Sequence, residues 1–266
     1  MKIISLLIPC LFLLSCSFAQ KNKPEIKDFN AIYQKYKVDG SFLLYNLNED
    51  SYTNYHPERC EEGFLPASTF KIINSLIGLE TGLIKDENFV FQWDGKERWN
   101  ANWNKDNDLK TAFQVSCVPC YQELARKVGL KKMKYWVKKA HYGKLDIRAD
   151  NLDMFWLEGN SRISQKNQIS FLVQVYKDKT PFSKRSIDIL KNIMILEKNE
   201  NYTLRAKTGW TKQDGKEIGW FVGWLEKDGQ VYFFANNIES PEPDNDLFNK
   251  GRREITEAIL KDLGIL

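Results

Sequence analysis

Histidine and cysteine are scarce in this sequence, and their scarcity argues against a metal centre. The 266 residues include five cysteines and two histidines, His56 and His141. Cys117 and Cys120 have the C-x-x-C spacing, but no second cysteine pair accompanies them. The pattern therefore favours small buried thiols near a helix start over a zinc site or a redox motif.

Long apolar runs are also lacking after the first residues. The run at 3–14 is too short to cross a bilayer and occupies the place of a signal-peptide core. We expect a signal peptide over residues 1–19 and an exported protein, located in the periplasm. Two processing sites compete. Leu-Leu-Ser-Cys at 13–16 resembles a bacterial lipobox, is slightly favoured, and would give a membrane-anchored lipoprotein lipidated at Cys16, whereas cleavage after Ala19 would leave Gln20 first.

Charge is not concentrated anywhere along the chain. The formal net charge is +4, and the basic residues are spread evenly, so we expect no nucleic-acid partner. The one dense run of lysines, at 131–139, is typical of the solvated face of a helix. Residues 20–266 are predicted to form a single domain of two lobes, either as a monomer or as a homodimer.

The order of the patterns predicts an α+β fold. Residues 21–30 are polar and are expected to be a tether, and 38–47 with 52–56 read as a β-hairpin. Helices are predicted at 68–82, 119–127, 131–140, 164–176, 183–196 and 247–263, and strands at 202–207, 219–226 and 230–236, with a turn at 211–216. Strands near both chain ends imply one antiparallel sheet flanked by helices, an α/β/α sandwich, plus a mainly helical lobe.

The hexapeptide Pro-Ala-Ser-Thr-Phe-Lys at 66–71 opens the most apolar of these helices. Residues three apart share one helix face, so Lys71 is expected beside Ser68, while the free N–H groups of the first turn point at whatever Ser68 attacks. A nucleophile, a nitrogen base and part of an oxyanion hole thus come from four residues. An isolated S-x-x-K is usually only an N-cap followed by a solvated lysine.

Two later motifs change that interpretation. Ser-Cys-Val at 116–118 and Lys-Thr-Gly at 207–209 follow in the order expected of serine acyl-transferases that act on β-lactams. With Tyr-Gln-Glu-Leu-Ala at 121–125, Phe-Trp-Leu-Glu-Gly at 155–159 and Gly-Trp-Phe-Val-Gly-Trp at 219–224, the chain resembles a class D β-lactamase, an oxacillinase, over nearly its whole length. The resemblance implies a penicillin-binding/β-lactamase-like fold and hydrolysis of β-lactam antibiotics.

The resemblance also implies the catalytic roles. Ser68 would be acylated, and Ser116, supported by Lys207, would pass a proton to the leaving lactam nitrogen. The side chain of Val118 cannot form hydrogen bonds and can exclude water from the surroundings of Lys71. Desolvation favours the neutral amine of the lysine, which can add carbon dioxide. Lys71 would then be an N-carboxylated general base, held by the indole N–H of Trp156. No cofactor or metal is implied beyond carbon dioxide or bicarbonate, and Glu158 is expected to be structural.

The same resemblance assigns the substrate-binding groups. Thr208, Gly209 and Trp210 would line the substrate, with the backbone N–H groups of Ser68 and Trp210 as oxyanion donors. Gly209 would lie on an edge strand, where a side chain would crowd the substrate. Arg252 would bind the substrate carboxylate, and Arg253 is the alternative if the register slips by one.

One element departs from the family pattern, and two other functions compete. Tyr-Gly-Lys stands at 142–144 where the family usually has asparagine third, so Lys144 puts the local loop geometry in question. A β-lactam receptor would be acylated by the β-lactam without being deacylated. Such receptors usually carry membrane-spanning segments, and this sequence has no long apolar run after its first residues. A D,D-peptidase is disfavoured by Val118 and the segment around Trp156.

Overall fold

The structure is a computed structural model, and it describes residues 24–240 and 245–266. The predicted signal peptide, including the lipobox residue Cys16 and the competing start at Gln20, lies outside the described residues. Within the described ranges, no helix is long and apolar enough to cross a membrane.

One large mixed sheet organises the described part of the chain. Its seven strands lie in the order β1-β3-β2-β9-β8-β7-β6, and only the β1–β3 pair is parallel. The N-terminal hairpin β2–β3 therefore pairs with the C-terminal strand β9, which confirms a sheet built from both chain ends. The strands are β1 (Glu25–Ile26), β2 (Asp39–Asn46), β3 (Ser51–Tyr55), β6 (Ile195–Lys198), β7 (Tyr202–Gln213), β8 (Lys216–Lys227) and β9 (Gln230–Ser240), and a separate small pair consists of β4 (Val90–Phe91) and β5 (Asn107–Asp108).

Most predicted helices are present near their predicted bounds. Ser164 and Ser183 are N-caps whose hydroxyls accept the N–H of the residue three positions on, and Pro119 occupies a first-turn position. The helices are α1 (Asn30–Gln34), α2 (Pro57–Glu61), α3 (Lys71–Glu80), α4 (Leu109–Gln114), α5 (Val118–Val128), α6 (Leu130–Lys139), α7 (Gln165–Tyr176), α8 (Lys184–Ile193) and α9 (Phe248–Asp262).

Three sequence predictions were wrong in their bounds. The expected tether at 21–30 contains strand β1 and the first residue of α1. Helix α8 ends at Ile193, and the residues predicted to finish it begin strand β6 instead. The turn predicted at 211–216 shrinks to Asp214 and Gly215, both at positive φ, because an Asp-Gly pair alone can join two long antiparallel strands.

The sheet is covered on both faces, as an α/β/α sandwich requires. Alternate residues of β9 point to opposite sides: Phe234 packs with Ile255 of α9, whereas Phe233 belongs to the cluster that includes Leu172 of α7. Helices α3, α5, α6 and α8 extend this second cluster into a helical region. The 3-10 turn Ala67–Phe70, which directly precedes α3, packs against β7 and β8, so Ser68 lies between the sheet and the helices.

Candidate active site

Ser68 lies in a 3-10 turn, Ala67–Phe70, that runs directly into α3. Its side chain is not a helix N-cap, because the cap position of this turn is Pro66. Ala67 has a φ of +50°, a conformation that is strained for a residue with a Cβ, and its N–H donates to the Trp156 carbonyl at 2.8 Å. The backbone before the serine is thus fixed from outside the helix.

Lys71 follows one turn later and contacts Ser68 as the sequence predicted. Its Nζ donates to Ser68 Oγ at 3.0 Å, and its side chain is fully buried. Burial lowers the pKa of Lys71 to about 7. A large fraction of the amine is therefore neutral near pH 7, and a neutral amine can accept a proton.

Aromatic rings form the walls around Lys71. Its Nζ lies 5.1 Å from the ring centroid of Tyr121, whose hydroxyl hydrogen-bonds Ser75 at 2.7 Å. Phe70 stacks on Trp156 with ring centroids 5.2 Å apart, and both side chains are fully buried. Val118 is the first residue of α5, half-buried, and lines the cleft above Ser68. Lys71 is thus fully buried beside an aromatic ring, and the effect of Val118 on its hydration stays a prediction.

The indole of Trp156 carries an unsatisfied hydrogen-bond donor. Its Nε1 is buried and has no hydrogen-bond partner among the described residues. Buried N–H groups without a partner are rare because each loses its hydrogen bonds to water. The described residues supply no acceptor for this donor.

Ser116 and Lys207 come together from different elements. Ser116 lies in the loop between α4 and α5 with a φ of +53°, and Lys207 Nζ contacts its Oγ and donates to the Thr208 carbonyl at 3.1 Å. Burial lowers the pKa of Lys207 well below its usual value, and the nearby cations Lys71 and Arg252 lower it further. A substrate carboxylate would offset this repulsion.

Strand β7 borders the cleft where it has no second neighbour. Strand β6 pairs with β7 only between Thr203 and Arg205, so the stretch that contains Thr208, Gly209 and Trp210 is a free edge, although β7 as a whole is not an edge strand. A Cβ at Gly209 would lie 3.1 Å from Trp220 and 3.3 Å from Ala67. The glycine therefore lets β7 approach the Ser68 turn, whereas the sequence suggested that it leaves room for substrate.

Arg252 and Arg253 point to different surroundings. Arg252 Nη1 donates to the Gly209 carbonyl at 3.0 Å, and the residue lines the cleft with Thr208. Burial lowers the pKa of Arg252 to about 10, which leaves it charged at neutral pH. Arg253 pairs with Glu197 and Glu257 and lines no part of the cleft.

The cleft has a volume of about 760 Å³ and includes aromatic residues that belong to none of the sequence motifs. Trp99 is 76% exposed and lies edge-to-face with Trp210, with centroids 6.5 Å apart, and Trp103 packs against Trp99. The exposed side chain of Glu158 lines the rim. No periodicity marks the segment that contains Trp99 and Trp103, so only their place in the fold identifies them.

Cys117 and Cys120 form a disulfide, with Cα atoms 5.4 Å apart. The prediction of two buried free thiols was therefore wrong, and Cys60 is the free cysteine of the described residues. Cys117 is the N-cap of α5, and the C-x-x-C spacing brings Cys120 back beside it after one helical turn, close enough for a disulfide. Within the described ranges, no group of three metal-ligating side chains is present.

The unusual Tyr-Gly-Lys element is held by backbone pairing. The N–H of Lys144 donates to the Arg162 carbonyl at 2.8 Å, and the reverse bond has the same length. Gly143 has a φ of +62°, and a Cβ there would lie 2.8 Å from the Arg162 carbonyl oxygen. The loop geometry thus depends on the glycine and the Arg162 strand bridge more than on the side chain at 144.

Comparison with known proteins places the chain in a family. Residues 29–263 match the model of the penicillin binding protein transpeptidase domain. The chain is 44% identical to the β-lactamase OXA-48 of Klebsiella pneumoniae, over 92% of this chain and 91% of that one. The chain belongs to the class D β-lactamases. It is a serine β-lactamase, a hydrolase that acts on β-lactams, and its fold is the predicted one.

Solved structures give the same assignment and bear on the receptor alternative. The class D β-lactamase YbXI from Nostoc matches with a TM-score of 0.84 and 42% identity, over 88% of this chain and 98% of that one. The C-terminal domain of the Bacillus licheniformis BlaR penicillin-receptor also has a TM-score of 0.84, with 30% identity over 91% and 97% of the two chains. Since the fold is common to both, the higher identity to enzymes decides for the hydrolase.

Proposed function

We propose that this β-lactamase acts through an acyl-enzyme on Ser68, with Lys71 as the base for both half-reactions. The observation that carries the proposal is the 3.0 Å contact between Lys71 Nζ and Ser68 Oγ at a site where burial lowers the pKa of Lys71 to about 7. A lysine with its ordinary pKa would be protonated and could not take the serine proton. Here the nucleophile and its base are adjacent.

Carboxylation of Lys71 deepens this proposal. A neutral amine reacts reversibly with carbon dioxide, and the resulting carbamate supplies an anionic general base. Two features support it: the fully buried amine, and the unpartnered indole N–H of Trp156, which would donate to the added carboxylate. Val118 and Tyr121 limit hydration of this region and so favour the neutral amine.

The remaining residues act on the substrate. The backbone N–H groups of Ser68 and Trp210 are the proposed oxyanion donors, because both residues border the cleft. Ser116 passes a proton to the leaving lactam nitrogen, with Lys207 against its hydroxyl. Thr208 and Arg252 bind the carboxylate of the β-lactam.

The proposed location follows from the N-terminal sequence. We propose that the protein is exported to the periplasm and anchored by a lipid on Cys16. Incorporation of labelled fatty acid into the protein, lost in Cys16→Ser, is the expected result. A mature N-terminus at Gln20 without a lipid would show ordinary cleavage instead.

Ser68→Ala tests the proposed nucleophile. Hydrolysis of a chromogenic cephalosporin should be lost, and intact-protein mass spectrometry with a slowly released β-lactam should show one covalent adduct on the parent and none on the variant. Ser51→Ala, the same change on β3, four strands away from β7, is the control and should keep both. Acylation of the parent without turnover would instead indicate a receptor.

A further inference from the structure

The disulfide joins two stretches of the active site that the proposed mechanism uses. Cys117 stands between Ser116, which contacts Lys207, and Val118, which lines the cleft. Cys120 directly precedes Tyr121, whose ring faces Lys71. The covalent bond therefore spans the one helical turn that carries the proton-relay serine at one end and a wall of the lysine site at the other.

Hydrogen bonds at the junction between α4 and α5 hold the neighbours of Ser116 more than Ser116 itself. The Cys117 N–H donates to the Ala112 carbonyl at 2.9 Å, and Trp103 Nε1 donates to the Val115 carbonyl at 3.1 Å. The N-cap of α5 is Cys117, and its sulfur accepts the N–H of Cys120 at 3.3 Å. Sulfur is a weak acceptor compared with the oxygen of Ser, Thr, Asp or Asn, the usual N-cap residues. Ser116 has a positive φ, and among the described residues its N–H donates only to the Phe113 carbonyl, at 3.2 Å. The disulfide thus fixes the start of α5, as a strong N-cap side chain would.

We propose that the Cys117–Cys120 disulfide is a positioning element that holds Ser116 against Lys207. The enzyme is then fully active only when these two cysteines are oxidised to the disulfide. The inference rests on the proposed role of Ser116 in acylation. Exported proteins form such bonds, whereas reducing compartments keep cysteines as thiols. Full hydrolytic activity would then be acquired only after oxidative folding.

Cys120 offers the one route for a reductant among the described residues. Cys117 is fully buried, whereas Cys120, although only 8% exposed, lines a cavity of about 370 Å³ that also includes Trp103 and Arg126 and lacks Ser68 and Ser116. A dithiol thiolate would attack the sulfur of Cys120, form a mixed disulfide there and release Cys117 as a thiolate at the start of α5. The second thiol of the reagent then attacks the mixed disulfide. Two electrons and two protons pass to the protein, which gains two thiols, and the reagent leaves as its cyclic disulfide.

The test measures acylation in the oxidised and reduced enzyme. Purified protein is treated with dithiothreitol under native conditions, and the state of the bond is read by mass spectrometry after alkylation in denaturant, where reduction adds two reactive thiols. We expect kcat/KM for a rapidly deacylated β-lactam to fall about tenfold, while release of a preformed acyl-enzyme changes much less. Reoxidation should restore the rate. If the disulfide were merely structural, its reduction would lower the melting temperature but leave the ratio of the acylation rate to the deacylation rate unchanged.

Matched variants separate this bond from other thiols. Cys117→Ala/Cys120→Ala should show the reduced rate with or without dithiothreitol, and Cys60→Ala should respond like the parent because Cys60 is buried away from the cleft. Should the double variant fail to fold, reduction and reoxidation of the parent decide alone. Unchanged acylation after complete reduction, or a purified protein with both thiols free and full activity, would overturn the inference. Absence of hydrolysis in the oxidised protein would instead contradict the proposed function.

Discussion

At the scale of single residues, the proposed mechanism depends on an amine kept in surroundings that disfavour its charge. Lys71 is fully buried beside the ring of Tyr121, and Nζ donates to Ser68 Oγ. Burial lowers the pKa of Lys71 to about 7, so protonation would compete with the proposed carboxylation between pH 6 and 8. A lysine on the surface would not titrate in this range.

Activity in carbon-dioxide-depleted buffer should therefore fall as the pH decreases from 8 to 6. With a pKa of about 7 for Lys71, roughly nine-tenths of the amine is neutral at pH 8 and about one-tenth at pH 6. Added bicarbonate should restore turnover near pH 6, and carbon-13 NMR of labelled-bicarbonate samples should show a carbamate signal. Full activity without bicarbonate and no such signal would mean that the lysine acts unmodified.

Trp156→Phe tests the donor separately from the packing. The change keeps an aromatic ring against Phe70 but removes the indole N–H that has no partner in the described structure. We expect the bicarbonate concentration for half-maximal activity to rise about tenfold or more, since a hydrogen bond to a charged group contributes about 1.5–3 kcal/mol. Trp136→Phe, which stacks on Phe182 in the helical region, is the matched control. An unaltered bicarbonate requirement would contradict the assigned role of Trp156.

Arg252→Ala should raise KM more than it lowers kcat. A carboxylate contact away from the scissile bond stabilises ground and transition states similarly, and loss of a charge-assisted contact costs about 1.5–3 kcal/mol, or about 10- to 150-fold in kcat/KM. Arg253→Ala changes the next residue, which pairs with Glu197 and Glu257, and should stay near the parent. Steady-state kinetics with both variants would show the opposite ranking if Arg253 bound the substrate.

Motif residues were the most predictable part of the site. The i, i+3 relation of Ser68 and Lys71 is local, so helical geometry alone brings their side chains together. Trp99 reaches the cleft through a segment without periodicity, and the Cys117–Cys120 bond depends on the φ and ψ angles of the loop before α5. Such tertiary features leave no regular signal in a sequence.

At the scale of elements, the closeness of β7 to the Ser68 turn is set by one glycine. Gly209→Ala would place a methyl group 3.1 Å from Trp220 and 3.3 Å from Ala67, contacts that require a small shift of β7. We expect kcat/KM to fall about tenfold or more, because small displacements of oxyanion donors reduce catalysis strongly, with a stability loss of only about 1–2 kcal/mol.

Gly223→Ala on the neighbouring strand is the comparison for Gly209→Ala. Its Cβ would lie 2.0 Å from the Arg205 carbonyl oxygen, a backbone atom that cannot move without breaking the β7–β8 ladder. This variant should lose more stability than Gly209→Ala in urea unfolding. Equal losses of stability, with Gly209→Ala fully active, would show that β7 tolerates the shift.

The elements themselves were predictable where periodicity or caps are strong. Ser164 and Ser183 mark helix starts by side-chain capping, and the apolar pattern of α3 marks a buried helix. Strands β1 and β6 were missed because each is short and is defined by its partner, β3 or β7, and not by its own sequence. Pairing overrides local preference in such segments.

At the scale of the whole molecule, the sheet joins both chain ends and the two covering layers share it. Strand β9 pairs with β2 on one side and β8 on the other, so the N-terminal hairpin supports the strands that carry the site. The sequence predicted this arrangement because aromatic strands flank a helical middle. Among the described residues, Lys71 and Lys207 are buried groups whose charge opposes stability.

Lys71→Met should therefore stabilise the protein while abolishing turnover. The folded-state pKa of Lys71, about 7, lies below the unfolded value of about 10.4, so the unfolded chain binds more protons between these limits. The contribution of Lys71 to the stability of the parent should then rise with pH in this window, by about 2 kcal/mol from pH 7 to 9, and its penalty is complete below pH 7. Lys207, whose pKa burial also lowers, adds a separate dependence on pH that parent and variant share. Methionine fills similar space without a charge, so we expect a gain on the order of 2–4 kcal/mol at pH 7 and loss of that slope.

Urea unfolding in carbon-dioxide-depleted buffer at pH 7 and 9 measures both the gain and the slope. The difference between parent and variant gives the contribution of Lys71 to the free energy of unfolding. Tyrosines such as Tyr121 do not interfere, because burial raises their pKa and they affect stability only above about pH 10. Lys166→Met removes an exposed lysine paired with Glu61 and should give no stabilisation. If Lys71→Met were less stable than the parent, or kept the same dependence on pH, the ammonium would be better accommodated than its burial implies, and a neutral amine ready for carboxylation would lose its physical basis.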